Sequence, residues 1–480
     1  MLCQACDLRF KMCPTTTITN LYMNEATKTS SSSSATTPCT ACLDILTPSS
    51  VFATTTNLLQ KLSIYELSNE PASTTYVLNI DIPLSISIVR HTLTARFSSV
   101  EMGLVPTVRT ILYNALNILI PQKLSNMIPT QDNTIANFRL DIACNNPLDE
   151  QDVRIVIPSH IHPAKRRKRH GGGGGGDFAG GESSKSNTNP RVSIVQSKFD
   201  RSQVARASRA YVEEAGYVLS LPPPPDFKAM TKMSAQRNPT FLEGHYIKLQ
   251  RGLTQSPWFI DGKRRGNSSV QEMLCEHVVA HFNCRTLYKF HSAGREDMDV
   301  RMLGNGRPFV IELIDAIRDP AMVDAATITE LGQSTEVLHD GAVKSINLRR
   351  GLPSCMAQML DGAEKKQKTY LCLVQLSRKP TTLDFQVLEN CKNLIVMQQT
   401  PIRVLHRRTQ MNREKRIPWM KCHAVPNTNC FRLEICTSAG AYVKEIVHGD
   451  RGRTHPCIGS LLNVRADILQ LDVQEIVENK

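Results

Sequence analysis

The sequence predicts an α+β protein in two domains, and three observations carry that prediction. At 480 residues the chain is longer than a single hydrophobic core usually fills. Short runs alternate apolar and polar residues with the period of a strand, and others place apolar residues at helical spacing. A proline run, Leu221-Pro-Pro-Pro-Pro-Asp226, breaks the chain near its middle, where a stiff polyproline linker fits.

The elements follow in chain order. Residues 1–50 carry two cysteine pairs, separated by a Thr/Ser-rich segment that includes Ser30 to Ser34. That segment lacks the apolar residues to build a core and is expected to loop out. The run from Tyr76 to Ile82 (YVLNIDI) alternates and predicts a strand, as does FRLDIA from Phe138. Between them, residues 105–119 predict a helix. A basic run from Lys165 to Arg169 precedes six glycines, Gly171 to Gly176, and a Gly/Ser/Asn stretch to about Pro190. Glycine-rich chain of this kind is flexible. The basic run reads either as a nuclear-import signal, giving a nuclear and cytoplasmic protein, or as a solvated loop. Helical spacing resumes over 191–217, so the glycine tract interrupts a domain and does not end it. The expected division is an accessory domain over 1–220, a Pro-rich linker over 221–240 and a second domain over 241–480. In the second domain FVIELI from Phe309, YLCLVQL from Tyr370 and FRLEIC from Phe431 predict strands, and residues 269–282 and 461–469 predict helices. Strands with a few helices among them imply a mixed sheet with helices packed on it.

Composition narrows the class of function. No stretch approaches the ~20 apolar residues of a membrane helix, so no membrane partner is expected. The first residues lack the order of a secretory signal or the arginine-rich amphipathicity of a transit peptide. A net charge of +13 points to a polyanionic partner. Nothing suggests more than a monomer.

Fifteen cysteines in a chain of intracellular character call for metal before disulfides. Cys3-Gln-Ala-Cys6 and Cys39-Thr-Ala-Cys42 form two C-x-x-C pairs. Tetrahedral Zn²⁺ takes four thiolates, and each C-x-x-C lets one turn supply two of them. Such a zinc is structural and leaves no open position for catalysis. Cys13 is left as a spare thiol or a packing residue. Cys275, Cys372 and Cys436 lie in apolar patterns that suit core cysteines.

The densest cluster of chemistry runs from Ala293 to Phe309, AGREDMDVRMLGNGRPF. It sets Asp297 and Asp299 among Arg295, Arg301 and Arg307. A nearby arginine favours the charged form of a carboxylate, and a charged carboxylate can act as a nucleophile or as an electrostatic stabiliser. The glycines of LGNG from Leu303 lack the pattern of a phosphate loop and predict a tight turn. Two further segments stand out, KQKTY from Lys366 and AGAYVKEIVHGD from Ala439.

The G-R-x-D of Gly294 to Asp297 resembles the active-site loop of pseudouridine synthases. The K-x-Y ending at Tyr370 and the G-x-Y-h-K (h apolar) ending at Lys444 resemble those of the members that modify the T-loop of tRNA. Longer strings, PWFIDG from Pro257, SAGREDMDVRMLGNGRPFVIEL from Ser292, TPIRVLHRR from Thr400 and AGAYVKEIVHGDRGRTHPCIGSLLNVRADILQLDV from Ala439, are similar to the archaeal and eukaryotic T-loop type. That type acts on tRNA uridines 54 and 55. The likeness covers most of residues 241–473. Upstream, the paired C-x-x-C and the α+β segment are similar to its zinc-bearing accessory region with a THUMP RNA-binding module. The chain departs from the family in the short spacing between its cysteine pairs and in the basic, glycine-rich insert.

The resemblance implies a catalytic domain with a mixed, mainly antiparallel sheet and flanking helices. It implies isomerisation of a T-loop uridine, position 55 with 54 left open, on tRNA and without any cofactor for catalysis; other structured RNAs remain open as partners. Asp297 would attack the sugar or the base, or stabilise the electron-poor sugar. Lys444 would be its basic partner, with Arg295 as a second candidate. Tyr370 would hold the detached uracil, and Tyr442 would close the other side and mediate proton transfer at C5. Asp299 is the rival carboxylate, expected to pair with Arg301 or Arg307. Arg403 to Arg408 and Lys263 to Arg265 would hold phosphates around an extruded base. The alternatives are a catalytically silent RNA-binding protein or scaffold, and a zinc-dependent nucleic-acid factor that reads through its cysteine pairs. The first is opposed by the presence of Asp297, Tyr370, Tyr442 and Lys444 together. The second is opposed by the lack of a finger-like helix of base-reading residues.

Overall fold

The computed structural model describes residues 2–25, 39, 41–65, 67, 74–97, 105–146, 149–157, 199–214, 230–285, 288–406 and 408–477. The basic run, the glycine tract, the serine run Ser30 to Ser34 and the proline run all lie outside these residues. The Thr/Ser-rich segment between the cysteine pairs, expected to loop out, forms a helix over its first part, Thr15–Glu25, because Ile18 and Tyr22 on one face bury in the core. The described chain forms two compact units that divide at Asn238/Pro239.

The first unit holds a four-stranded sheet in the order β2-β1-β3-β4, made of β1 (Thr74–Asp81), β2 (Met127–Pro129), β3 (Phe138–Asn145) and β4 (Met230–Arg237). β1 runs parallel to both β2 and β3, and β4 pairs antiparallel with β3. Its core draws on α1 (Gln4–Phe10), α2 (Thr15–Glu25), α3 (Pro48–Leu62) and α5 (Val108–Lys123), with α4 (His91–Phe97) between β1 and α5. α3 and α5 start where the residues just ahead of them, Thr47 and Thr107, accept a backbone N–H, which satisfies one of the donors a helix leaves open at its start. Val108, Ile111, Leu112, Ala115, Leu116 and Leu119 recur at helical spacing and are buried. A satellite cluster joins α6 (Asp149–Val156) and α7 (Arg201–Glu214) to Ile88, Val89 and Leu93.

β4 lies inside the span read as a Pro-rich linker. Residues 230–237 hydrogen-bond along the whole of β3, so the first unit continues to Asn238. The expectation of a linker over 221–240 came from the proline run alone, and MTKMSAQR offers little of the alternation that marks a strand.

The second unit is built on an eight-stranded sheet. Its strands are β5 (Thr240–Lys248), β8 (Tyr288–Ser292), β9 (Arg301–Leu313), β10 (Val343–Gly351), β11 (Gln367–Leu376), β14 (Trp419–Ala424), β15 (Cys430–Thr437) and β17 (Ala466–Val477). The order is β10-β5-β9-β17-β11-β15-β14, with β8 also on β9. Every pairing is antiparallel except β17 with β9. A small sheet of β12 (Leu394–Gln399), β13 (Asn412–Ile417) and β16 (Thr454–His455) and a hairpin of β6 (Trp258–Ile260) and β7 (Lys263–Arg265) complete it. The helices are α8 (Val270–Phe282), α9 (Ala325–Leu338), α10 (Cys355–Lys365), α11 (Thr382–Asn390), α12 (Val443–His448) and α13 (Ile458–Leu461). Leu242, Tyr246, Phe309, Ile311, Cys372, Leu433 and Ile435 bury alternate positions of the strands in one core. Each large apolar side chain so buried is worth about 1.5–3 kcal/mol. The architecture is mixed α+β, with a largely antiparallel sheet and helices against it.

Two sequence expectations fail here. Residues 461–469 are not one helix: α13 ends at Leu461, and from Ala466 the chain is strand, paired along β11. Its exposure alternates with period two near Asp467, Ile468 and Leu469. Gly304 and Gly306 do not make a tight turn; they lie within β9 at φ +60° and +77°. A Cβ on Gly306 would stand 2.8 Å from the Tyr246 carbonyl oxygen, so glycine is needed for the close approach of β5.

Candidate active site and the cysteine cluster

The loop between β8 and β9, residues 293–300, is held from below by buried polar groups. Lys248, at the end of β5, is fully buried. Its ammonium donates to three carbonyls, those of Leu253 (2.7 Å), Asp297 (3.1 Å) and Met298 (3.2 Å). Burial pushes this amine down to about 8, an effect only partly offset by the charges of Glu296, Asp299 and Asp297. Glu296 points the other way. It accepts from the Tyr246 hydroxyl (2.9 Å) and from Arg307 Nε (2.9 Å), and both members of the Glu296–Arg307 pair are buried. Arg307 Nη1 donates to the Ala293 carbonyl (2.8 Å), and Gln255 Nε2 to that of Gly294 (3.0 Å). Successive residues 296 and 297 therefore face opposite ways, Glu296 into the core and Asp297 outward.

Asp297 is half-buried, with 33% of its side chain exposed. Arg403 Nη1 donates to its Oδ2 at 2.9 Å, and Lys444 Nζ stands 3.4 Å from the same oxygen. Among the described residues no hydrogen bond reaches Oδ1. Arg403 sits on the short turn Ile402–Val404 after β12, and its Nε donates to Glu445 of α12 at 2.8 Å. Lys444, next to Glu445, gives its short bonds to Asp299, at 2.9 and 2.8 Å. Burial raises the Asp299 carboxyl, but the hydrogen bond and charge of Lys444 outweigh it and hold the group below its usual value.

Tyr442 caps the start of α12. Its N–H donates to Gln398 Oε1 (2.9 Å) and its carbonyl accepts from Gln398 Nε2 (3.0 Å), so a buried amide on β12 fixes its backbone. Its ring lies 5.9 Å from the Arg403 guanidinium carbon. Tyr370 is on β11, one strand beyond β17, and is only 9% exposed. Burial pushes its phenol up to about 12 despite the charge of Arg307 nearby, so it keeps its proton at neutral pH.

The structure thus gathers Asp297, Lys444 and, through Arg403, Tyr442. Arg295 is exposed on the same loop, and the guanidinium at Asp297 is that of Arg403. The expected partners of Asp299 are otherwise engaged: Arg301 pairs with Asp472 (2.6 Å) and Arg307 with Glu296. Sequence reasoning placed Arg403 among phosphate contacts and passed over Lys248, Gln255, Gln398 and Glu445. The TPIRVLHRR string marked the right segment, but nothing in it distinguishes one inward arginine from its neighbours.

In the first unit Cys3 immediately precedes α1, Cys6 lies in its first turn, and Cys42 lies in a turn whose Leu43 N–H donates to the Cys39 carbonyl. The four sulfurs lie within 4.8 Å of one another, and those of Cys3 and Cys42 are 3.7 Å apart. Four thiolates at ~2.3 Å from a tetrahedral zinc stand about 3.8 Å apart, so the set fits. A second observation tests the fit. Arg9, one turn beyond Cys6 on α1, is fully buried, and among the described residues none of its three guanidinium nitrogens has a hydrogen-bond partner. It contacts the Phe10 ring at 4.6 Å. Cys3, Cys39 and burial push the Cys6 thiol up, and the charge of Arg9 works against that rise. A buried lone cation is costly. A divalent ion with four thiolates carries two net negative charges, which is what such a cation needs. Cys13 packs against the core of this unit.

Residues 241–477 match the family model described as Pus10, C-terminal. A Homo sapiens protein named tRNA pseudouridine synthase Pus10 is 39% identical over 285 residues, covering 58% of this chain and 53% of that protein. The Methanocaldococcus jannaschii protein of the same name is 36% identical over 260 residues, covering 51% of this chain and 54% of its own length. This chain spans about half the length of the curated relatives it matches. Among solved structures, a Cbf5-Nop10-Gar1 complex aligns with 49% of this chain and 48% of its own at 15% identity, with a TM-score of 0.28.

Proposed function

We infer that this chain, whose residues 241–477 match the Pus10 C-terminal family, is an isomerase that converts a T-loop uridine of tRNA to pseudouridine. Position 55 is the target, with 54 open as a second. The observation that carries this reading is the state of Asp297: a half-exposed carboxylate held through one oxygen, with no hydrogen bond to the other among the described residues, on the G-R-E-D loop.

The chemistry needs little beyond that loop. The bond between C1′ and N1 breaks, the uracil turns, and C1′ joins C5; the proton leaves C5 and N1 gains one. Asp297 Oδ1 attacks or stabilises the electron-poor centre, and the oxygen is released when the new bond forms. Lys444 and Arg403 supply positive charge at Oδ2. Tyr442, at the outer edge, covers the detached ring and relays the C5 proton. Tyr370, mostly buried and protonated, serves as the ring that holds the uracil and not as a base. The exposed hairpin β6–β7, with Trp258 and Phe259 on one strand and Lys263, Arg264 and Arg265 on the other, suits contact with RNA around an extruded base. The first unit serves as the accessory module, a THUMP-like RNA grip stabilised by structural zinc on Cys3, Cys6, Cys39 and Cys42.

The test is to incubate the full chain with a tRNA transcript and map pseudouridine by carbodiimide-dependent primer-extension stops. Product is expected in the T-loop with the wild type and none with Asp297→Ala. Wild-type chain that binds tRNA but leaves every uridine unchanged would favour the silent RNA-binding reading.

A further inference from the structure

We propose that Arg403, anchored by the buried carboxylate of Glu445, is the positioning residue that aims Asp297, and that Lys444 serves mainly Asp299. The inference rests on the isomerase reading above.

The geometry separates the two cations. Arg403 spans two carboxylates from one planar group, with Nε on Glu445 at 2.8 Å and Nη1 on Asp297 at 2.9 Å. Glu445 is 1% exposed at its side chain and its position in the core is fixed by α12. Its Oε1 takes Arg403, and its Oε2 has no partner among the described residues. A buried carboxylate satisfied chiefly by one guanidinium ties that guanidinium down, because releasing it would leave a lone buried charge. The fork is rigid, so fixing Nε also fixes the direction of Nη1. Lys444 lacks this constraint: its ammonium sits on a flexible stem, bonds Asp299 at both oxygens and is 3.4 Å from Asp297.

A second anchor keeps the arginine's own backbone in place. The Ile402 N–H donates to Asp450 Oδ2 at 3.0 Å, and Arg453 holds the Thr400 carbonyl at 2.9 Å. The chain entering the turn that carries Arg403 is therefore tied at Thr400 and at Ile402. Arg403 bears on Oδ2 only, which orients the carboxylate while leaving Oδ1 toward the site where a ribose would lie.

The rival role for Arg403 is a phosphate contact, and the experiment separates the two. Single-turnover pseudouridine formation and tRNA affinity are measured for wild type, Arg403→Ala, Arg403→Lys, Glu445→Gln and the double variant Arg403→Ala/Glu445→Gln. Positioning predicts that Arg403→Ala lowers the single-turnover rate on the order of 100-fold. Its tRNA dissociation constant and salt slope stay near those of the wild type, and added methylguanidine restores part of the rate. Arg403→Lys keeps the charge but loses the fork, so it stays well below wild type. The double variant is no slower than Arg403→Ala alone, because both changes break one unit. A phosphate contact predicts weaker binding, a salt slope smaller by about one and an unchanged rate at saturation; that result, or a wild-type rate in Arg403→Ala, overturns the proposal. A thermal double-mutant cycle between Arg403→Ala and Asp297→Asn, without RNA, tests the pairing apart from activity. If the wild type makes no pseudouridine, the isomerase reading fails, and strict additivity in that cycle is then what removes the pair.

Discussion

Lys444 gives both of its short hydrogen bonds to Asp299, at 2.9 and 2.8 Å, and stands 3.4 Å from Asp297. The lysine expected to serve the nucleophile is therefore shared, and its stronger hold is on the neighbour. Two carboxylates two residues apart compete for one ammonium, and Asp299, 60% exposed at its side chain, is the more solvated of the two. The substitutions that separate them are isosteric. Asp297→Asn is expected to abolish pseudouridine formation while leaving tRNA affinity within about threefold, less than the loss of one strong contact would cause. Asp299→Asn is expected to retain turnover, because it frees Lys444 to move onto Asp297. The reverse pattern, turnover in Asp297→Asn and none in Asp299→Asn, would transfer the chemistry to Asp299.

Gly294 stands near the start of the loop that carries Asp297 at φ +95°, where an L side chain is strained, and a Cβ there would stand 2.8 Å from Arg307 Nη1. That nitrogen cannot simply move away, since it holds the Ala293 carbonyl while Nε holds Glu296. Gly294→Ala is expected to cost about 1–3 kcal/mol of stability. It should also slow single-turnover product formation, since the loop would shift against its buried supports. Thermal unfolding and the single-turnover rate together check this; an alanine variant that melts and turns over like wild type would show the loop to be more yielding than its contacts imply.

Lys248 makes the site sensitive to alkali. Burial sets its amine at about 8, below the 10.5 of an exposed lysine. Between those values the unfolded chain binds the proton and the folded chain does not, so this group adds to folding stability as pH rises through that window. The same deprotonation weakens the grip on the carbonyls of Leu253, Asp297 and Met298. Turnover should therefore fall above about pH 8 without a matching loss of thermal stability from this residue. Lys368 is also pushed down to about 8, first by burial and then by the charge of Arg307. Loss of the alkaline limb in Lys368→Met would assign it there and not to Lys248. A pH–rate profile that stays flat through the window would remove both.

How much of this was visible in the sequence depends on the range of the interaction. The strands around Tyr76, Phe138, Phe309, Tyr370 and Phe431 were legible because alternation is a local property of a half-buried sheet. The paired cysteines were legible because metal spacing is local too, and their sulfurs do converge. β4 was missed because its hydrogen bonds to β3, not its side chains, make it a strand. The stretch after Leu461 was misread because its apolar spacing fits a helix until β11 recruits it into the sheet. The partners of Asp297 and Asp299 were missed for a related reason. Arg301 and Arg307 are near in sequence but lie on β9, where Asp472 and Glu296 capture them. Arg403, 106 residues away, is brought in by the chain's topology, which no spacing rule reports.

The cysteine cluster gives a prediction whose sign reverses with the metal. Arg9 is fully buried, its three guanidinium nitrogens are without a hydrogen-bond partner among the described residues, and its charge acts on Cys6 of the sulfur set. With a divalent ion on four thiolates, the arginine balances part of a dianion, and Arg9→Met should weaken metal retention, at a cost of about 3–5 kcal/mol for breaking a buried charge pair. Without the ion and with the thiols protonated, the same guanidinium is a lone buried charge, and Arg9→Met should raise the melting temperature of the metal-free chain. Zinc content by mass spectrometry, expected to match one ion to each Cys3–Cys6–Cys39–Cys42 set, is read alongside melting before and after chelation. Cys39→Ser/Cys42→Ser should lose the metal outright. Arg9→Met that behaves alike in both states would show that Arg9 answers to the Phe10 ring beside it and not to the charge on the sulfurs.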